Sequence, residues 1–100
     1  MYEIIMYDNG RLWGSEELNL SAAEEALKKL LKIALSDYVL KLDDIVYDEP
    51  MKKIKCTPFE YVIVKKISDY HFGVIYTGNV RGEESKRDIM IRKISVNELL

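Results

Sequence analysis

Two residues in this chain of 100 stand out as able to do chemistry, because each is the sole member of its type: His71 and Cys56. One histidine and one cysteine cannot supply the ligand set of a structural zinc site. They can form a nucleophile and its base only if the fold brings them together, and no local signature marks such a pair. His71 stands between Tyr70 and Phe72 and reads as a strand histidine. Ile54 and Cys56 alternate with Lys53 and Lys55, so Cys56 is expected to be a buried structural thiol of a strand in a reducing compartment. Asp43, Asp44, Asp48 and Glu49 crowd one stretch, yet their spacing lacks the alternating ligands and central glycine of an EF-hand. A solvated acidic loop is the expectation. No glycine-rich phosphate loop is present: Gly10 and Gly14 fall in the first hairpin, and Gly73, Gly78 and Gly82 are scattered. No catalytic, metal or cofactor residue is therefore assigned.

The remaining chemistry is that of binding. The net charge of −2 conceals an imbalance: residues 1–50 carry five basic against eleven acidic side chains, and residues 51–100 carry ten against six. The basic half interleaves Lys52, Lys53, Lys55, Lys65, Lys66, Arg81, Lys86, Arg87, Arg92 and Lys93 with Tyr61, Tyr70, Phe72 and Tyr76. Cations beside aromatics suit phosphate contact with base stacking, which makes nucleic acid one partner class. The overall acidity and the lack of a recognition motif favour a protein partner. Arg81, Lys86 and Arg87 lie on a charged tip suited to an acidic surface or a phosphate-bearing ligand. Tyr70, Tyr76 and Trp13 are the aromatic anchors expected on such a surface, although Trp13 reads first as a core or rim plug covering the sheet edge and second as an anchor.

These residues need elements to hold them. Tyr2-Glu3-Ile4-Ile5-Met6-Tyr7 leads through Asp8-Asn9-Gly10 into a second strand over 11–18, with Asn-Gly as a type I′ turn and Gly14 as a bulge or close backbone approach. Ser21-Ala22-Ala23-Glu24 has the form of a capping box before a helix over 22–35. On that helix Ala22, Ala23, Ala26, Leu27, Leu30, Leu31, Ile33 and Ala34 span an arc of about 180°, wider than the ~100° that one sheet face covers. The surplus calls for a flanking segment or a second chain. Strands are predicted at Lys53 to Cys56, Phe59 to Ile67, Tyr70 to Val80 and Arg87 to Ile94, with Thr57-Pro58 as a break. Residues 38–42 fit a strand or a helical turn. A second capping box, Ser95 to Glu98, predicts a closing helical turn.

The fold class expected is α+β: a ββα unit followed by a mainly antiparallel sheet of three or more strands, in one domain over residues 1–100. The apolar runs are too short to span a bilayer and the N-terminus is not cationic, so the chain reads as cytoplasmic, without membrane or signal segment. The function expected is that of a small non-enzymatic interaction module, such as an accessory or inhibitor protein of a virus or mobile element, self-associating as a homodimer. A nucleic-acid binder and a small-ligand or nucleotide binder at a dimer interface are the alternatives.

Overall fold

The computed structural model describes residues 1–78 and 83–94. Asn9 and Gly10 have φ of 49° and 87°, the two positive values that a type I′ turn requires. They join β1 (Tyr2–Asp8) to β2 (Arg11–Glu17) with Asp8 facing Arg11 and the register unbroken to Tyr2 and Glu17. Gly14 faces Ile5 in that ladder, so it is an ordinary strand residue and no bulge. The sheet's register shift lies in the later hairpin, between Lys66 and Ser68.

The helix α1 (Leu20–Ala34) begins two residues before the expected start. Its cap is Asn19, whose extended backbone turns the Oδ1 atom to accept from the Ala22 amide at 2.8 Å. Asn is as good a cap as Ser, and starting there places Ser21 inside the first turn. The capping box is thus displaced, and Glu24 is released to face Tyr70. At the other end the Leu35 amide bonds Leu31, the Ser36 hydroxyl donates to the Ile33 carbonyl, and Tyr76 donates to the Ala34 carbonyl at 2.6 Å.

The strands β3 (Met51–Lys52), β4 (Tyr61–Ser68), β5 (His71–Thr77) and β6 (Ser85–Lys93) complete one six-stranded antiparallel sheet in the order β2-β1-β6-β5-β4-β3. The strand expected over Lys53 to Cys56 is not formed; Met51 and Lys52 take the pairing with β4, and Cys56 stands exposed on the following loop. That loop is closed by the Lys53 amide on the Glu60 carbonyl and by an ion pair of 2.7 Å between the same side chains. Alternation alone cannot make a strand without a neighbour to bond, which is why Cys56 escapes burial. The terminal capping box at Ser95 lies outside the described residues.

One helix covers only part of a sheet this wide. It crosses β1, β2 and β6, burying Ala23, Leu27, Leu31 and Ala34. The chain from Tyr38 to Phe59 covers the rest without regular structure beyond a 3₁₀ turn at Leu42–Asp44 and the short β3. Tyr38 and Phe59 pack their rings on Tyr76, and Tyr47 stacks on Phe72. Leu27, Leu31 and Leu35 are all buried by this arrangement, so the helix's surplus apolar arc is covered from within the chain. Ile33 alone of that arc remains largely exposed. The reason to expect a second chain against the helix face is therefore removed.

Candidate functional site

The sheet has two edges of different character. β3 is only two residues long, a short edge of the kind that resists further pairing. β2 is seven residues long, and every residue from Arg11 to Glu16 is exposed, Leu12 to 60% and Trp13 to 57%. A two-residue hairpin makes Asp8 and Arg11 a hydrogen-bonded pair, so Arg11, Trp13, Ser15 and Glu17 turn their amides toward β1. Leu12, Gly14 and Glu16 then present N–H and C=O groups outward. Trp13 projects on the helix side of the sheet, where it walls a small hollow of about 160 Å³ with Ile4, Ser15 and Leu30. It is an edge residue at the rim of the sheet, and its exposure corrects the reading of Trp13 as a core plug. Arg11 stands at one end of this strand and Glu16 and Glu17 at the other, and none of the three has an ion-pair partner among the described residues.

The expected binding tip is arranged differently. Arg81 lies outside the described residues. Lys86 and Arg87 are consecutive on β6 and so project from opposite faces. Arg87 is half-buried on the helix side: its Nε lies 3.5 Å from Asp8 Oδ1, its Nη1 donates to the Tyr76 hydroxyl at 3.3 Å, and its guanidinium sits 5.4 Å from the Tyr76 ring centre. Lys86 lies on the other face, 3.9 Å from Asp88 Oδ2, and its backbone amide donates to Asn9 Oδ1. Tyr76 is 7% exposed, and burial pushes its phenol up to about 12. Its hydroxyl and ring are engaged inside the fold. The structure therefore does not bring Arg87, Lys86 and Tyr76 together as one contact surface.

Tyr70 stands at the opposite end of the strands, where its hydroxyl donates to Glu24 Oε1 at 3.5 Å. Desolvation raises its phenol above the ordinary value, with the charges of Glu24 and Asp69 acting in the same direction. It forms one wall of an open groove of about 430 Å³ whose floor is Leu27, Leu31 and Phe72 and whose rim includes Tyr47 and Asp43. The sequence shows these aromatics and acids but not their convergence, since they come from the helix, the 3₁₀ segment and the β4–β5 turn.

His71 projects from the uncovered face of the sheet, its Nε2 3.1 Å from Asp88 Oδ1, while Cys56 lies on the β3–β4 loop; no described contact joins them. Among the described residues no group of His, Cys, Asp and Glu is placed to hold a metal ion, and no helix is long and apolar enough to cross a membrane.

The fold and its exposed residues thus define an α+β domain with one covered face, one short edge and one long open edge. Comparison with protein-family models, with curated proteins and with solved structures returns no match.

Proposed function

We propose that this chain is a binding module that engages a protein through the outer edge of β2. The observation that carries this reading is the strand itself: seven residues long and exposed from Arg11 to Glu16, with outward backbone groups and with the apolar side chains of Leu12 and Trp13. An open edge recognises another strand by main-chain hydrogen bonds, and the side chains on either face add selectivity. Trp gives a large apolar contact together with one donor, which suits it to anchor such a surface. The basic side chains support a nucleic-acid surface less well. Lys65 and Lys86 project from one face and Lys66 and Arg87 from the other, so no single groove gathers them.

The test is capture of protein, the chain itself included, on immobilised wild type and on two variants, Trp13→Ala and Gly14→Pro. Proline is tolerated at an edge position whose amide faces solvent, and there it deletes the donor. A binding protein retained by wild type and lost by both folded variants is expected. Equal capture by all three would refute the edge as the site.

A second reading has its own observation. The groove at Tyr70 has an apolar floor, two tyrosines, and Glu24 and Asp43 beside the basic side chain of Lys28, with Asp69 paired to Lys66 at 3.2 Å. That chemistry suits the cationic end of a basic side chain. A saturable rise in Tm with an arginine ester, abolished by Tyr70→Ala, is the result that supports it.

A further inference from the structure

We infer that the occupant of the β2 edge is a second copy of this chain, paired antiparallel about a twofold axis at Gly14, with Arg11 of each copy against Glu17 of the other. The inference rests on the edge reading above and names its partner.

The strand is self-complementary in one register. About Gly14, all seven residues pair: Arg11 with Glu17, Leu12 with Glu16, Trp13 with Ser15, and Gly14 with itself. The outward backbone groups of Leu12, Gly14 and Glu16 then fall opposite one another, so each of these pairs can exchange both ladder hydrogen bonds. Arg11 and Glu17 lie on the same face of β2, directly opposite across the axis, and the twofold makes that ion pair twice. Size is matched as well as charge. The bulky Trp13 meets the small Ser15, the two Trp13 rings become diagonal neighbours within aromatic reach, and no side chain crowds the axis at Gly14. Shifting the axis to Trp13 sets Arg11 against Ser15 and leaves Glu17 beyond the paired residues. Shifting it to Ser15 leaves Arg11 without an opposite residue.

Closure follows from the unequal edges. Pairing through β2 consumes the one long edge, and the two-residue β3 at the far side offers little for a third copy. The assembly therefore stops at a dimer with a continuous twelve-stranded sheet.

The test is a charge swap read by sedimentation velocity from low micromolar to near-millimolar concentration, with circular dichroism confirming that each variant is folded. Arg11→Glu sets two carboxylates against each other in both symmetry-related pairs, and Glu17→Arg sets two guanidinium groups against each other there. Each alone is expected to weaken self-association by at least about ten-fold, because two attractive pairs become repulsive. An equimolar mixture of the two variants restores complementarity in the heterodimer, and so does the double variant in a homodimer. Rescue in both supports the inference, since a merely structural effect of either substitution would persist in the mixture. Wild type that stays monomeric throughout overturns the second copy as partner but leaves the edge itself to the capture experiment. A dimer indifferent to the swaps, or swaps without rescue, overturns the register. A dimer that also survives Gly14→Pro overturns the edge reading with it.

Discussion

Replacing Tyr76 by Phe removes one hydroxyl from the core and changes both the stability of the domain and its dependence on pH. The hydroxyl donates to the Ala34 carbonyl at 2.6 Å, at the end of α1, and accepts from Arg87 at 3.3 Å. The ring stays in place between Tyr38 and Phe59, so packing is retained and the loss is polar. Leaving a buried carbonyl without that donor costs about 1–3 kcal/mol, which for a domain of this size lowers Tm by roughly 10 °C. The alkaline limb supplies the second signature. An unfolded tyrosine loses its proton near pH 10, whereas burial holds that of Tyr76 to about 12. Between those values the unfolded state binds fewer protons than the folded one, so stability falls as pH rises; two pKa units correspond to about 3 kcal/mol. Below pH 10 this contribution is fully present. Tyr38 and Tyr70 are also shifted upward, but they are common to both proteins and cancel in the difference. Urea unfolding followed by circular dichroism from pH 7 to 11.5 should show Tyr76→Phe less stable at neutrality, with the gap to wild type closing above pH 10. Parallel curves over the whole range would show that the Tyr76 proton is not held by the fold.

Three further substitutions test how the elements are made. Asn19→Ala should cost about 1 kcal/mol by removing the helix cap, and Ser21→Ala should cost far less, as read from urea midpoints; the reverse order would restore the capping box at Ser21. Leu35→Ala should cost about 2–5 kcal/mol because Leu35 is fully buried, and Ile33→Ala, two residues away but exposed, should stay within about 0.5 kcal/mol; equal losses would refute the assignment of the buried arc. Gly78→Ala should destabilise by about 1–3 kcal/mol, since φ is +97° and an added Cβ would lie 2.8 Å from the Tyr61 ring, whereas Gly14→Ala meets only ordinary contacts. A neutral Gly78→Ala in thermal melts would contradict that backbone conformation.

The residues show unevenly how far this fold was legible from sequence. Asn9-Gly10 and the apolar spacing of α1 are local signals, and local signals survive folding: the turn has its two positive φ values and Leu27 and Leu31 face inward. Cys56 was illegible because alternation over four residues carries no information about whether a neighbouring strand is there to pair. Tyr38, Tyr47 and Phe59 belong to a stretch without periodicity, and their role as cover for β4 and β5 exists only through contacts with Tyr76 and Phe72. The site follows the same division. Tyr76 and Arg87 carry the types expected of a binding surface, yet the charge of Asp8 and the carbonyl of Ala34 engage them internally. Trp13 was visible as a large aromatic just after the turn, but its place on an open edge required the strand order, which is set by β6 returning beside β1 and leaving β2 outermost.

Amide hydrogen exchange at Leu12, Gly14 and Glu16, measured by NMR at two protein concentrations far apart, addresses the open edge of β2 directly. In dilute solution these three amides should exchange as solvent-exposed groups while those of Trp13 and Ser15, bonded to β1, are protected. At high concentration the protection of Leu12, Gly14 and Glu16 should rise together as a second β2 edge covers them. Exchange at these three positions that is unprotected and independent of concentration, or protection already complete in the dilute monomer, would contradict the account.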